Sequence, residues 1–558
     1  MGEKEMKKKV LAIVLTAAMS AAVLAGCGSS SSDSASTSEA ASTEEAVEEE
    51  KEEATSATEN LAKAEDSTDE AKYGGTLRYA SHIQPFGGYT PTNTNNASLS
   101  YMTVAYESLT SYNADGTLKG VLAESWESDA EALTITWHLR EGVKFSDGCD
   151  FNAEAVKANI EEYQKCNRTE VANVKSMDII DDYTIVMNLE SWNSSTLEGI
   201  GFFVYYMDPE QIDADGLAQK SAGTGPFVIS EFNPGVSCKY VKNENYWQEG
   251  KPYLDAVELY CVDEPTTRAS AFEAGEYDVI LMNNLTVAQD IANLGSTDYG
   301  EIQVQDCVSG QGLVMTGLIP NSVEEGPFQD PKVRLAMAEA IDVDALIDAF
   351  GYGMLQSTDQ WAAPGAVTYD NDLNAVHYDP DHAKELLAEA GYPDGFDTTL
   401  TTDAGNKDIF TAAANMLEEV GIHCEINLVD ESAQSALYSN GDWTGIMGHF
   451  AAISPDLGLY MGRHLDVNGA FYAKGIQHPD DAMELLEAIR TAPTDEDKVE
   501  LEHQMQALMY DHEDGIALFG RPLFIQNEPI FKYDYVKNDG RGVYHKSTWD
   551  LANAWLDK

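Results

Sequence analysis

The sequence predicts an α/β protein built as more than one lobe, and three observations lead there. Its 558 residues exceed what one ordinary hydrophobic core organises, so the chain should divide into two or three lobes. Short alternating strand patterns are interleaved with helical ones along most of its length. Apolar residues make up 43% against 23% charged, the composition of a globular protein with a sizeable interior.

The first element is an export signal. Lys7, Lys8 and Lys9 precede an apolar run from Val10 to Val23, broken only by Thr16 and Ser20, which has the charge and length of a secretory h-region and is short for a membrane span. The run closes on Leu24-Ala25-Gly26-Cys27, which resembles the lipobox of bacterial lipoproteins. That resemblance implies cleavage after residue 26 and a lipid anchor on Cys27. Residues 27–72 are mainly Ser, Thr, Ala and Glu, with Val47 and Leu61 as the large aliphatics, so burial cannot offset the entropy of ordering them. They read as an acidic, disordered tether that holds the folded body away from the membrane.

The folded body opens with a strand at Thr76-Leu77-Arg78-Tyr79-Ala80 after Gly74-Gly75. From Leu133 to Leu139, Leu133, Ile135, Trp137 and Leu139 alternate with polar residues, a strand with one buried face. Asn152 then caps a helix whose Val156, Ile160 and Tyr163 share a face, with Glu154 in its first turn. Strands follow at Tyr183–Leu189, Gly225–Ile229, Val257–Val262 and Asp278–Met282, with a helix from Thr266 to Glu273 before the last. Beyond Pro331, helices are expected through Val333, Met337, Ala340 and Ile341, over Asp381–Ala390 and over Thr411–Val420. Gly391 and Gly421 close the latter two, and a strand runs from Ile422 to Val429. Helices at Asp480–Arg490 and Asp495–Tyr510 precede a strand near Ile516–Phe519.

The charge balance excludes one large class of function. With 34 basic and 95 acidic residues, the net charge of -61 repels nucleic acid and anionic surfaces. Catalytic patterns are also lacking: there is no G-x-S-x-G, no H-E-x-x-H and no phosphate loop, and the 11 histidines are dispersed. Cys149, Cys166, Cys238, Cys261, Cys307 and Cys424 form no C-x-x-C pair, so neither a zinc site nor a thioredoxin-like motif is expected. Disulfides and free buried thiols both remain open. No enzyme activity, metal or cofactor is expected.

A series of segments carries a resemblance. Leu122-Ala123-Glu124-Ser125-Trp126-Glu127 is followed by Leu133-Thr134-Ile135-Thr136-Trp137-His138-Leu139-Arg140-Glu141-Gly142-Val143-Lys144-Phe145-Ser146-Asp147-Gly148. In chain order Tyr106-Glu107-Ser108-Leu109, Gly223-Thr224-Gly225-Pro226-Phe227, Asn243-Glu244-Asn245-Tyr246-Trp247 and Phe272-Glu273-Ala274-Gly275-Glu276-Tyr277-Asp278 add to it, as do Asp330-Pro331-Lys332-Val333-Arg334 and Tyr378-Asp379-Pro380. Together, from Tyr73 to Lys558, they resemble the peptide- and nickel-binding family 5 of extracellular solute-binding proteins of ABC importers. Cys149 departs from the pattern.

The resemblance implies a two-lobed periplasmic-binding-protein-like fold of the large cluster C type, with an additional subdomain in the first lobe. Its expected segments are 73–110, 111–192, 193–310 and a return segment 521–558 in lobe I, and 311–520 in lobe II. It further implies an extracytoplasmic, monomeric receptor that passes a small solute, peptide-like by the family's habit, to permease subunits served by separate ATPases. A non-peptide solute, such as an oligosaccharide or a nickel or other metal chelate, and a sensing role are the alternatives.

The candidate ligand residues are Tyr89, Trp361, Trp443, His449, Asp456, Arg463 and His464. Arginine offers a bidentate fork to a carboxylate, tryptophan a stacking face, and histidine a ligand for a chelated metal. The resemblance places Trp443–Asp456 as a binding loop, in which Ala451-Ala452-Ile453-Ser454 stands where peptide-binding relatives carry an aspartate for the α-ammonium. Asp456, just past Pro455, is the substitute on offer.

Overall fold

The computed structural model describes residues 71–558 apart from 86–100, 114–116, 213–221, 306–313, 359, 363, 374–377, 404, 453–455, 468, 470–471, 511–523, 527 and 539–549. Cys27, the tether, Tyr89, Cys307 and the strand expected near Ile516–Phe519 lie outside the described residues. Contacts divide the chain at Ala64/Glu65, and every described residue belongs to the second unit.

That unit begins with β1 (Thr76–Ser81), the hairpin β2 (Thr110–Tyr112) and β3 (Leu118–Gly120), then β4 (Ala123–Asp129), β5 (Thr134–Leu139), α1 (Ala153–Lys165), β6 (Val174–Asp181) and β7 (Thr184–Leu189). It continues through α2 (Ser195–Phe203), β8 (Phe227–Asn233), β9 (Ser237–Lys242), β10 (Ala256–Cys261), α3 (Pro265–Glu273), β11 (Val279–Leu281), α4 (Leu285–Leu294), β12 (Ser296–Thr297) and β13 (Gly300–Gln305). Next come β14 (Val314–Pro320), α5 (Pro331–Glu339), α6 (Val343–Phe350), β15 (Leu355–Gln356), α7 (Pro380–Glu389), β16 (Phe396–Thr402), α8 (Lys407–Val420), β17 (Ile422–Leu428), α9 (Glu431–Asn440) and β18 (Ile446–Ala452). The series closes with α10 (Leu457–Leu465), α11 (Asp480–Arg490), α12 (Asp495–Tyr510), β19 (Phe524–Gln526), β20 (Ile530–Tyr533), β21 (Val536–Asn538) and β22 (Ala554–Leu556).

Two large sheets organise the body. The first has 8 strands in the order β12-β13-β20-β11-β1-β10-β9-β8, and the second has 6, ordered β15-β19-β14-β18-β16-β17. Both are covered on two faces, so the apolar residues of a single strand divide between two clusters. In β11, Val279 and Leu281 enter one apolar cluster while Ile280 enters another. In the second sheet Leu318, Leu400 and Ile446 pack on one side, Ile319 and Met447 on the other. A separate 4-stranded antiparallel sheet, β4-β5-β7-β6, carries α1. Its Ile135, Trp137, Ile185 and Met187 are buried together with Val156, Ile160 and Tyr163 of the helix.

The chain passes between the large sheets twice, with an antiparallel pair at the near edge of each crossing. β13 pairs antiparallel with β20 in the first sheet, and β14 pairs antiparallel with β19 in the second. Phe524–Gln526 pairs with β14 and β15 in the second sheet, and β20 then joins the first.

Most expected elements are present with small shifts in their ends. Asn152 caps α1 by accepting from the Ala155 N–H at 3.0 Å. Gly421 closes α8 with φ +101°, a left-handed conformation that favours glycine. One expectation changes: Trp443–Asp456, read as a binding loop, contains β18, a central strand of the second sheet. It lacks strand-like alternation because both of its faces are covered, and a Cβ on Gly448 would lie 2.5 Å from the Phe410 ring of α8. Cys149, Cys166, Cys238, Cys261 and Cys424 are free thiols.

Candidate ligand site and interlobe seam

Both large sheets reverse their winding around a central parallel strand. In the first sheet β1 lies between β10 and β11 and runs parallel to both. In the second, β16 lies parallel between β17 and β18. A crevice at the carboxyl ends of such strands is where open α/β sheets offer a ligand backbone groups and side chains without obstruction.

At the second sheet the sequence candidates come together around two tyrosines. The His449 ring stacks on Tyr438 with centroids 4.3 Å apart, and Tyr438 stacks on Trp443 at 5.9 Å. The Tyr438 hydroxyl and His464 Nδ1 are hydrogen-bonded at 3.2 Å. His464 packs on Tyr460 at 4.4 Å, and Tyr460 stacks on Trp361 at 5.9 Å. Trp361 is fixed further by its backbone N–H, which donates to Gln506 Oε1 at 3.0 Å. Burial lowers His449 to about 4 and His464 to about 3, so at neutral pH both imidazoles are uncharged. Trp361, Trp443 and His464 are buried as supports, whereas His449 retains partial exposure.

The first sheet presents a different edge. Arg268, fully buried, donates to the carbonyls of Val262 and Asp263 and to Asn283 Oδ1, the last at 2.7 Å. Nearby, Ser81 is hydrogen-bonded to Tyr101, and His82 faces Glu528 at 4.0 Å.

Asp456 and Arg463 belong to neither group. The Asp456 carboxylate caps α10, accepting from the Leu459 N–H at 2.6 Å, and forms a buried ion pair with Lys498. As a counter-ion for a ligand ammonium it is already engaged. The Arg463 guanidinium lies 5.8 Å from the Phe203 ring of α2, and burial lowers its pKa.

Where α2 and the segment before it meet α10, α11 and α12, the two lobes touch directly. Trp192 Nε1–H donates to the Ala492 carbonyl at 2.6 Å, the Ser194 N–H to the Arg490 carbonyl at 2.7 Å, and the Ser194 hydroxyl to the Ile489 carbonyl at 2.8 Å. A cavity of about 360 Å³ opens on this seam beside Thr169, Asn173, Trp192, Asn193, Ser195 and Arg490. A second, of about 170 Å³, reaches Arg463 and Asp466.

The seam residues Glu198, Lys498 and Glu502 were not among the sequence candidates. Glu198 did leave a trace: it is the one charged residue in the otherwise apolar or small run Leu197–Met207. Among the described residues, the group that could hold a metal ion is Asp147 and Cys149, on the turn after β5, with Asp208, which follows α2, and none of the clustered histidines belongs to it.

The family model for bacterial extracellular solute-binding proteins, family 5 Middle, matches residues 117–471. The chain belongs to this family. Heme-binding protein A of Haemophilus influenzae is 30% identical over 384 residues, covering 62% of this chain and 67% of its own. Among solved folds, the periplasmic binding protein DppA of Helicobacter pylori, in complex with the peptide STSA, superposes with a TM-score of 0.68 at 24% identity, over 87% of this chain and 99% of that one. NikA of Brucella suis, in complex with Fe(III)-EDTA, gives 0.72 at 23% identity, over 86% and 100%. These neighbours share the two-lobed periplasmic-binding-protein fold expected from the sequence. Among the described residues, no helix is long and apolar enough to cross a membrane.

Proposed function

We propose that this chain is the substrate-binding lipoprotein of an ABC importer, anchored outside the cytoplasm through Cys27, and that it captures a peptide-like solute between its lobes. The observation that carries the reading is the double crossing between the pairs β13/β20 and β14/β19: two separately cored sheets are linked by two passages of the chain, an arrangement suited to hinge motion. A solute contacting both carboxyl edges stabilises the closed arrangement by its differential affinity for it. Permease subunits would then recognise the closed receptor, with ATP hydrolysed on separate subunits. Lobe I comprises 73–110, the subdomain 111–192, 193–310 and the return segment, and lobe II begins at 311. The candidate contacts are the aromatic and imidazole group with His449 at its exposed side, together with Tyr89 and Arg463.

A second reading, a non-peptide cargo such as an oligosaccharide or metal chelate, draws on Asp456. With Asp456 paired to Lys498, alanines at 451 and 452, and Asp403, whose charge reaches His449, already accepting from Gly405 and Asn406, an ammonium buried beside β18 meets no uncommitted carboxylate among these and would be costly to desolvate. Thermal unfolding with free peptides, N-acetylated peptides, oligosaccharides and ferric or nickel chelates separates the readings. A ligand at 100 times its Kd adds about 2.7 kcal/mol to stability. Peptides are expected to raise the melting temperature, with N-acetylation preserving or strengthening the effect because it removes the cost of burying the ammonium. Stabilisation by a saccharide or chelate alone would establish the second reading, and no stabilisation by any of them would remove the receptor assignment.

A further inference from the structure

Four ionisable side chains are buried together on the interlobe seam, and they come from three elements. Glu198 is contributed by α2 in lobe I. Asp456, at the cap of α10, and Lys498 and Glu502, both on α12, come from lobe II. Their exposures are 7%, 3%, 9% and 1% in that order. Lys498 is ion-paired with Asp456, and the Gly458 N–H donates to Glu502 Oε1 at 2.9 Å. From lobe I the Ser195 hydroxyl donates to Asp456 Oδ1 at 3.3 Å, and the buried Glu198 carboxyl feels the charge of the same carboxylate.

Three carboxyl groups thus surround one ammonium. Were all four ionised, two negative charges would remain in a region closed to water, which is prohibitive in a low-dielectric site. The other charges near the seam are committed elsewhere. Arg490 pairs with Asp466 at 3.0 Å, Arg168 with Glu170 at 2.7 Å, and Arg463 faces the Phe203 ring. Glu198 and Asp456, facing each other across the seam, can meet in a hydrogen bond only if one of them carries a proton, because two carboxylates cannot share one without it.

We infer that this seam is a proton-coupled latch: docking α2 of lobe I onto α10 and α12 of lobe II takes up at least one proton, held on Glu198, so the docked form is favoured as the pH falls. The electrostatics agree with the geometry. Burial, followed by the Asp456 charge, raises Glu198 well above the ordinary carboxyl range, and burial raises Glu502 to about 8 against the opposing pull of Lys498. Burial works against charge on Lys498 and Asp456, yet their mutual attraction outweighs it, so Lys498 is held protonated and Asp456 ionised. When the lobes part, Glu198 returns to water and to its ordinary pKa. The docked state therefore binds more protons than the parted state, and its advantage is lost as the pH rises from the ordinary carboxyl range, near about 4.3, through the raised docked-state values.

The inference rests on the hinged-receptor reading only in taking the docked arrangement as one of two states, and its test needs no ligand. Hydrogen exchange of the tethered, ligand-free protein, corrected for the intrinsic pH dependence of exchange, reports protection in 192–203 and 456–466, with β5 and β16 as controls. Between about pH 5.5 and about pH 8.5, protection in both seam segments is expected to fall by about tenfold or more while the controls hold. In Glu198→Gln, whose amide donates to Asp456 without a proton to lose, the fall should shrink below about threefold. Seam protection that does not vary with pH, or that varies equally in wild type, Glu198→Gln and Glu502→Gln, overturns the latch. Failure of every solute in the binding panel while this pH response persists would instead count against the receptor reading alone.

Discussion

At the carboxyl ends of β1 and β11, the first sheet buries the Arg268 guanidinium among backbone carbonyls and an amide; the matching edge of the second sheet holds uncharged rings stacked on one another. The same winding thus carries two kinds of surface. In lobe I a charge is kept in place by hydrogen bonds to neutral groups, and the nearest acids, Glu528 and Asp263, act on it through space. In lobe II the order comes from area and shape, through Trp361, Tyr438, Trp443 and Tyr460. Disturbing the first should therefore expose a desolvation cost, and disturbing the second should open a cavity.

The largest expected effect tests the packed edge. Trp443 is 2% exposed, and a Cβ on Gly475 would lie 2.3 Å from its ring, so Trp443→Ala leaves a void that its close-packed neighbours fill poorly. A loss of about 3–5 kcal/mol in chemical denaturation is expected; a loss below about 1 kcal/mol would mean that the ring stack is not what orders this edge. Arg268→Met, similar in length but unable to donate, should cost about 1–3 kcal/mol by stranding the Val262 and Asp263 carbonyls. If it is neutral, the two edges do not differ in the way described.

The smallest effect has a sign that distinguishes the edges of lobe II from the seam. Because His464 is held neutral, lowered by burial to about 3 in the fold from the ordinary 6.5, the unfolded chain binds the extra proton between those values. Stability is present above the unfolded value and lost as the pH falls, by up to about 1.4 kcal/mol per pH unit for this imidazole. His464→Phe should flatten that acid limb in a plot of melting temperature against pH. The seam carboxyls act in the opposite direction, losing their contribution as the pH rises, so the two responses can be separated in one titration.

Local chemistry made much of the scaffold legible. Asn152 and Gly421 marked helix ends, Leu133 to Leu139 alternated as a strand with one buried face, and Asp480–Arg490 and Asp495–Tyr510 matched the observed helices. β18 escaped because a strand covered on both faces has no period to show. α2 escaped too, since Ser195-Thr196-Leu197-Glu198-Gly199-Ile200-Gly201-Phe202-Phe203 is buried all round and has two helix-weakening glycines. Of the site, residue types singled out Trp361, Trp443, His449 and His464 as ligand candidates, and the fold gathers them into one ring group. They did not reveal the linking tyrosines, nor that Asp456 was spent on Lys498. Such pairings join residues far apart in the chain, as Ser195 and Asp456 are at 261 positions, and no local pattern encodes them.

The interior place of β20 has a consequence for the order of assembly. It sits between β13 and β11, so the first sheet lacks an inner strand until residues 530–533 have left the ribosome. A nascent chain cannot complete this sheet, begun at Thr76, until its last-made strand has been synthesised.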